Sequence, residues 1–262
     1  MSEAQKPYVM PRPAATVVVV RQGADGPEVF MVKRHSRGSF ASMYVFPGGV
    51  LEPDDECADS YCEGMTAQQA NCNLDLDCGA LCYYSAAFRE VLEETGILLA
   101  RGKEAGRIDT AAARDGLNDG SLKWVDFLEQ HALHMPCDQL HYISYWVTPR
   151  TEPKRFSTRF FLAVVPQGQA ASHDGAELTD SRWMNPRDVL KAGSARKMIL
   201  PYPTRTTLRN IAAFADTDGI IEWARARLES GAAKQLPAFV TVNGKDMVVM
   251  PDSPYYPEDF DR

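Results

Sequence analysis

The sequence predicts an α/β protein, in which strands and helices alternate along the chain. Residues 14–21 form a valine-rich run without polar alternation, as expected for a strand that is buried on both faces. Residues 83–95 carry apolar side chains at helical spacing, and further strand-sized and helix-sized segments follow them. The longest apolar runs are strand-sized, well short of the roughly 18 residues that a membrane-spanning helix needs.

The size and composition of the chain favour one large domain with a core. The chain has 262 residues, of which 45% are hydrophobic. We predict a single domain over residues 1–262, with an insertion at about residues 53–82 and a C-terminal helical extension at about residues 197–250. The start of the chain lacks the apolar segment of a signal peptide, and its end is not a peroxisomal Ser-Lys-Leu address. We therefore expect a cytoplasmic protein without a membrane partner.

The charge balance limits the class of partner. The net charge is −7, from 28 basic and 35 acidic side chains. This balance argues against a nucleic-acid partner, because a broad nucleic-acid surface needs clustered positive charge. A small anionic substrate is compatible with it, since bound metal ions supply positive charge locally.

The first half of the chain is predicted to contain a turn and a returning strand, then an insertion and a helix. The sequence Gly-Ala-Asp-Gly-Pro at residues 23–27 indicates a turn, and residues 28–33 form the returning strand. The polar, Asp-rich and Cys-rich stretch at about residues 53–82 is predicted to be an insertion with weak helical character. The helix over residues 83–95 ends at Gly96, because the left-handed conformation that closes a helix favours glycine.

The second half alternates between the two element types. Helices are predicted at residues 107–114 and 122–133, the second capped by Ser121. Strands are predicted at residues 142–147, 159–165 and 178–183. Helices follow at residues 186–192, with proline in the first turn, and at residues 204–214 and 220–229. A short strand pair is predicted at residues 239–242 and 247–249.

The helix over residues 83–95 has an acidic face. On a helical wheel, Glu90, Glu93 and Glu94 lie within about 100° of one another, at spacings i, i+3 and i+4. Arg89 stands four residues before Glu93, where its guanidinium can hold that carboxylate. The opposite arc should pack into the core; it carries Tyr84, Phe88, Val91 and Leu92.

Clustered carboxylates of this kind suit a divalent metal. Negative side chains on neighbouring turns repel one another, and hard cations such as Mg²⁺ relieve the repulsion through oxygen ligands. The same ions bind phosphate oxygens and activate water. The alternative is a solvated acidic face, which is the commoner role of such a helix surface.

Two segments of the chain together form a recognisable pattern. Residues 46–52 are Phe-Pro-Gly-Gly-Val-Leu-Glu, and residues 89–97 are Arg-Glu-Val-Leu-Glu-Glu-Thr-Gly-Ile. They resemble the Nudix box of Nudix hydrolases: residues 89–97 match the second half of this motif at each fixed position, and residues 46–52 are similar to the first half. Asp55 stands where the motif has a glutamate. Between Asp55 and Arg89 lie 33 residues, where the motif has about seven, and an outward bulge would accommodate them at little cost in closure entropy.

The resemblance implies a fold and a set of site residues. The fold would be an α/β/α sandwich around a mixed sheet. Glu93, Glu94 and Arg89 would be catalytic, and Mg²⁺ or Mn²⁺ would be the cofactor. The implied metal ligands are Glu90, Glu93 and Glu94, with the Gly49 carbonyl and with Glu177 as a further metal-binding or base carboxylate.

The resemblance also implies a substrate class. An insertion inside the box is similar to one branch of the family, the peroxisomal coenzyme A diphosphatase-like proteins. The implied reaction is hydrolysis of a nucleoside diphosphate derivative, with CoA or an acyl-CoA as the first expectation. ADP-ribose, NADH or dinucleoside polyphosphates are alternative substrates, and a non-hydrolytic nucleotide sensor is an alternative of another class.

Further residues are candidates for the same site. Four arginines suit phosphate contacts, although each could equally be surface charge: Arg34, Arg37, Arg155 and Arg159. Phe46 could stack on a base or belong to the core. His35 and His173 are candidate general bases, with solvated loop histidines as the alternative.

The cysteines of the insertion leave their role open. Their spacing is irregular and contains no Cys-x-x-Cys pair; they are Cys57, Cys62, Cys72, Cys78 and Cys82. Free thiols are expected, with a structural zinc site or a disulfide as alternatives. A homodimer is left open as a further partner.

Overall fold

The computed structural model of the chain describes residues 9–35, 41–148, 152–165, 171, 178–231, 237–250 and 253–257. The strands are β1 Arg12–Gly23, β2 Gly26–Arg34, β3 Tyr44–Val45, β4 Gly48–Val50, β5 Cys62–Glu63, β6 Met135–Pro136, β7 His141–Val147, β8 Phe156–Val164, β9 Leu178–Met184, β10 Ala238–Val242 and β11 Lys245–Val249. The helices are α1 Pro53–Glu56, α2 Ala67–Leu74, α3 Ala80–Thr95, α4 Thr110–Asp119, α5 Trp124–Gln130, α6 Pro186–Ser194, α7 Tyr202–Ile211 and α8 Thr217–Glu229.

A mixed sheet is built around the long strand β1. Strands follow the order β3-β2-β1-β8-β7, with β4 also paired to β1 and β9 to β2. The β1–β8 pair is parallel, with Ala15 opposite Arg159, whereas the pairs of β1 with β2 and β4 are antiparallel. Because β4 and β8 flank the same part of β1, Gly49, Ala15 and Arg159 lie in one row across the sheet.

Helices cover both faces of this sheet. Val17 and Val19 point into a core shared with α3, whereas Val18 and Val20 point into a second core shared with α6, α7 and α8. This alternation follows from the two-residue period of a strand, and it confirms the prediction that β1 is buried on both faces. The architecture is the expected α/β/α sandwich, and the C-terminal helices form one of its layers.

The insertion packs onto the sandwich rather than bulging away from it. Its helix α2 begins at a reciprocal capping box between Thr66 and Gln69. Ala70 and Leu74 of α2 are buried in the same core as Tyr84 of α3. The predicted helical character is confirmed, and the insertion covers the first half of α3.

The structure corrects several helix boundaries, and α3 begins at Ala80 rather than at residue 83. Helix α4 begins at Thr110 rather than 107, because the Asp109 carboxylate accepts hydrogen bonds from the N–H groups that open it. The predicted Ser121 cap is wrong: α5 follows Lys123 without a side-chain cap, and the Ser121 N–H donates to Asp119 instead. Strands β3 to β6 were not predicted, because two or three residues carry no periodic signal. No helix in the described ranges has both the length and the apolar character that crossing a bilayer requires.

Candidate active site

Helix α3 carries the acidic face and fixes its direction. The helix ends at Gly96, whose φ of 70° lies in the left-handed region, and the Gly96 N–H donates to the Leu92 carbonyl at 2.9 Å. All four side chains of the predicted core arc are buried: Tyr84, Phe88, Val91 and Leu92. With that arc held in the core, the glutamates must lie on the side that faces β4 and α1.

Arg89 is the centre of a buried network of carboxylates. Its Nη1 donates to Glu93 Oε2 at 2.8 Å and to Glu90 Oε1 at 3.1 Å. Its Nε and Nη2 donate to the two carboxylate oxygens of Asp55 at 3.2 and 2.9 Å. The predicted pairing of Arg89 with Glu93 is confirmed. Burial alone would lower the pKa of Arg89, but the carboxylates of Glu90, Asp55 and Glu93 raise it well above its ordinary value.

Asp55 occupies the motif position at which a glutamate was expected. It lies in α1, directly before the rest of the insertion, and is completely buried. Its Oδ2 also accepts the Glu52 N–H at 2.9 Å. The insertion therefore leaves the acid of the first half-motif against the arginine of the second.

Glu94 joins the helix to the glycine loop. Its Oε2 accepts the Gly48 N–H at 2.9 Å, and its Oε1 lies 3.4 Å from Arg34 Nη2. The same Arg34 nitrogen donates to the Gly48 carbonyl at 3.1 Å. Arg34 is thus brought to the carboxylates, and its side chain is 27% exposed. Among the described residues predicted to contact substrate, Arg34 is the one that lies beside the glutamates.

Gly49 lets the sheet approach the helix closely. A Cβ atom at this position would overlap the carboxylate of Glu90. A side chain at residue 49 would therefore have to displace the Glu90 carboxylate, and no unusual backbone conformation is involved. The contact places the backbone of β4 directly beside Glu90.

Burial and the neighbouring carboxylates raise the pKa values of Glu90 and Glu93. Burial raises the pKa of Glu90 to about 7, with Arg89 opposing the shift. Burial raises the pKa of Glu93 to about 8, and the carboxylates of Glu90 and Glu52 add to it although Arg89 opposes it. A divalent cation would displace such protons, because it offsets the mutual repulsion and prefers oxygen ligands.

The chemistry of the donor set fits a hard divalent ion. In the part of the chain that the structure describes, no three acidic, cysteine or histidine side chains already converge on one point as an ion cage. Glu90 and Glu93 instead face Arg89, and Glu94 faces the Gly48 N–H. Arg89 holds one oxygen of each of Glu90 and Glu93, and an ion would bind the other oxygen of each carboxylate.

Comparison with known proteins places the chain in a family. The family model described as the NUDT19 Nudix domain matches residues 65–211, more than half of the chain. The chain belongs to this family. It is a Nudix hydrolase, and the matched range includes α2 of the insertion together with the whole of α3.

Two relatives and one solved structure resemble this Nudix hydrolase over most of its length. Acyl-coenzyme A diphosphatase NUDT19 of Xenopus laevis is 23% identical over 275 residues, which cover 89% of this chain and 72% of that protein. The human protein of the same name is 27% identical over 190 residues, which cover 67% of this chain and 51% of that protein. A crystal structure of a Nudix hydrolase from Alicyclobacillus acidocaldarius superposes with a TM-score of 0.67 at 28% identity, over 80% of this chain and 94% of that one.

The other predicted contacts of the Nudix hydrolase lie in different surroundings. Phe46 is buried in the second core, away from solvent. Arg155 is 2% exposed and donates to the backbone carbonyls of Thr148 and Val9 at 3.0 and 2.7 Å. Arg159 is 4% exposed, lies 3.3 Å over the ring of Tyr145 and donates to the Leu74 carbonyl. In their described contacts, these three side chains meet the core, an aromatic ring or backbone carbonyls rather than the glutamates.

Some predicted site residues lie outside the described residues, and one contributing residue was not predicted. Arg37, His173 and Glu177 lie outside the described residues, whereas His35 is exposed at the end of β2. All six cysteines of the chain are free thiols. Sequence reasoning missed the role of Asp55 in holding Arg89; the signal that could have found it is its motif position, six residues after Gly49.

Proposed function

We propose that this Nudix hydrolase cleaves the diphosphate linkage of CoA or an acyl-CoA, with Mg²⁺ or Mn²⁺ as cofactor. The observation that carries the hydrolytic proposal is the meeting of Glu90 and Glu94 with the backbone of Gly49 and Gly48. The choice of CoA is supported by the names of the two relatives, acyl-coenzyme A diphosphatases that cover most of this chain.

The site residues have two roles in the proposed reaction, metal binding and contact with the diphosphate. Water adds to one phosphorus and the bridging oxygen leaves with the other, so CoA gives 3′-phospho-AMP and a phosphopantetheine. When bound, the divalent ion neutralises phosphate charge and lowers the pKa of the attacking water. Glu90, Glu93 and Glu94 would hold it, together with the Gly49 carbonyl and Glu177. Arg34, partly exposed beside Glu94, would contact the diphosphate, as would Arg37.

Arg89 acts on the reaction through the glutamates. It is 2% exposed, and the hydrogen bonds of its guanidinium go to Asp55, Glu90, Glu93 and the Val50 carbonyl. A side chain enclosed in this way orients the carboxylates rather than touching substrate. We therefore propose Arg89 as a positioning residue.

A substrate screen tests the proposal. CoA, an acyl-CoA, ADP-ribose, NADH and dinucleoside polyphosphates would each be incubated with Mg²⁺ or Mn²⁺ in isotopically labelled water. Product masses identify both the bond that breaks and the phosphorus that water attacks. CoA or acyl-CoA should be preferred, and a strong preference for another compound removes the CoA proposal.

Two substitutions test the site itself. Glu93→Gln and Glu94→Gln should each lower turnover by at least ~100-fold without lowering the melting temperature, because a preorganised charge is lost while the shape is kept. Glu104→Gln is a matched control, since Glu104 is exposed and pairs only with the exposed Arg107 among the described residues. Nucleotide binding without turnover in calorimetry would favour the non-hydrolytic sensor instead.

The cytoplasmic localisation and the homodimer stay predictions. Fractionation of cells that express the protein would test cytoplasmic localisation. Light scattering of the purified chain would test the homodimer.

A further inference from the structure

A chain of buried hydrogen bonds links α5 to the carboxylate network. The indole Nε1 of Trp124 donates to the hydroxyl of Ser85 at 3.0 Å, and the Ser85 hydroxyl donates to Asp55 Oδ1 at 3.0 Å. Asp55 then accepts the two hydrogen bonds from Arg89. Ser85 and Asp55 are completely buried, and Trp124 is 1% exposed.

The chemistry of the side chains determines which group donates and which accepts in each of these hydrogen bonds. An indole N–H can only donate, so Trp124 occupies an acceptor lone pair of the Ser85 oxygen. The single hydroxyl proton of Ser85 is then directed to the carboxylate of Asp55, which can only accept when ionised. Hydrogen bonds in series polarise one another and strengthen in a dry environment. Trp124 thus holds Ser85 in the orientation that serves Asp55.

The orientation of Asp55 determines that of the guanidinium. A planar guanidinium that donates through Nε and Nη2 to one carboxylate has its third corner, Nη1, fixed in space. That corner holds Glu90 and Glu93. Trp124 stands 35 positions after Arg89 and comes from another helix, so the glutamates depend on a residue outside the Nudix box.

We propose that Ser85 and Trp124 are positioning residues for the metal-binding glutamates, an inference that rests on the proposed metal-dependent hydrolysis. Their hydrogen bonds keep Asp55, and through it Arg89, in the arrangement from which Glu90 and Glu93 can take up an ion. The competing role is purely structural: a polar pair satisfied within a core, without effect on the metal site beyond general stability.

Manganese binding separates these two roles. Mn²⁺ binding would be measured by electron paramagnetic resonance without substrate, alongside kcat, KM for CoA and melting temperature. Ser85→Ala removes the hydroxyl, and Trp124→Phe removes the indole N–H but keeps an aromatic ring. Each should weaken Mn²⁺ binding by about tenfold, the range known for residues that orient metal ligands, and should lower kcat with KM little changed.

Two variants serve as controls: one at a neighbouring buried residue, and one at Ser85 that keeps the hydroxyl. Phe127 is buried in the same helix and stacks on Trp124 at 5.7 Å, but it donates no side-chain hydrogen bond. Phe127→Leu should lower the melting temperature and leave Mn²⁺ binding unchanged within about twofold of wild type. Ser85→Thr keeps the hydroxyl and should retain most of the Mn²⁺ affinity.

The two positioning residues act in series, which gives a further test. Once Ser85 is alanine, the indole N–H has no route to Asp55, so the double variant should bind Mn²⁺ no more weakly than Ser85→Ala alone. Additive losses of affinity would contradict the series. Unchanged Mn²⁺ binding in both single variants, with only melting temperature lowered, overturns the positioning role and leaves the proposed hydrolysis intact. Absence of Mn²⁺ binding in the wild-type protein instead overturns the proposed metal site, and the positioning role with it.

Discussion

Asp55 and Arg89 form a two-pronged ion pair, with Arg89 Nε and Nη2 at 3.2 and 2.9 Å from the two carboxylate oxygens of Asp55, although 33 residues separate them in sequence. Both side chains are almost completely buried. The pair joins the two halves of the Nudix box across the insertion. Its loss should therefore affect stability as well as the site.

Asp55→Asn tests the contribution of this pair to stability. The amide removes the charge opposite a buried guanidinium, and breaking a buried pair from one side costs about 3–5 kcal/mol. Glu90 and Glu93 still compensate part of the Arg89 charge, so we expect a loss near 3 kcal/mol in the free energy of unfolding, measured with urea. Asp55→Glu restores the residue type of the motif and keeps the charge, and its added methylene should cost less, about 1–3 kcal/mol.

The exposed pair of Glu104 and Arg107 provides the control for this experiment. Glu104→Gln removes a carboxylate that is 2.7 Å from its arginine but lies in solvent. Its unfolding curve should coincide with that of the wild-type protein. If Asp55→Asn behaved like Glu104→Gln, the ion pair would contribute nothing to stability.

Gly49→Ala tests the close approach of strand β4 to helix α3. The added methyl group would overlap the Glu90 carboxylate, so that side chain or the strand must move. We expect kcat/KM to fall at least about tenfold, since small displacements of a positioned group cost factors of this size. Gly106→Ala is the control: an added Cβ at residue 106 meets nothing within 4 Å, and activity should be unchanged.

The raised pKa values of the glutamates predict how stability depends on pH. Burial raises the pKa of Glu93 to about 8 in the folded protein, whereas its ordinary pKa is 4.5. Between these values the folded chain binds more protons than the unfolded chain, so the contribution of Glu93 to stability is present at low pH and is lost as the pH rises. Without divalent metal, the stability of the wild-type protein relative to Glu93→Gln should fall across this window. A constant difference would show that the pKa of Glu93 is not raised.

The same shifts predict the pH dependence of metal binding. Protons compete with the ion for Glu90, whose pKa is about 7, and for Glu93. The rise in melting temperature on adding Mg²⁺ should therefore be larger above pH 8 than near pH 6. Thermal unfolding at fixed ionic strength measures this rise, and the reference is the protein in metal-free buffer that contains a chelator. An equal rise at both pH values would contradict proton displacement from these glutamates.

Local pattern was enough to predict the chemistry-bearing helix. Its glycine end, its core arc and the pairing of Arg89 with Glu93 all follow from residues within four positions of one another, and each agrees with the structure. Its start does not, because the helix begins at Ala80 rather than at the predicted residue 83. The buried strand β1 was also predicted, because an unbroken valine run allows both faces to be covered. These features depend on periodicity and short-range contact, which a sequence displays directly.

Contacts between distant segments were the part that sequence could not predict. The hydrogen bonds of Ser85 and Trp124 join segments that only the folded sheet brings together. The burial of Arg155 and Arg159 was missed for a similar reason. Arginine is seldom buried, and nothing nearby in sequence shows that backbone carbonyls and the ring of Tyr145 will surround these two.

Leu74→Ala tests whether the insertion is part of the core. Leu74 closes helix α2 and is 1% exposed in the same cluster as Tyr84 of α3. Truncating a buried leucine costs about 2–5 kcal/mol, because apolar burial is lost and a cavity stays behind. Cys72→Ala, two residues earlier on the same helix but exposed, should leave the unfolding free energy unchanged. If Leu74→Ala also left the free energy of unfolding unchanged, the insertion would unfold independently of α3. Its packing on that helix would then not contribute to the stability of the site.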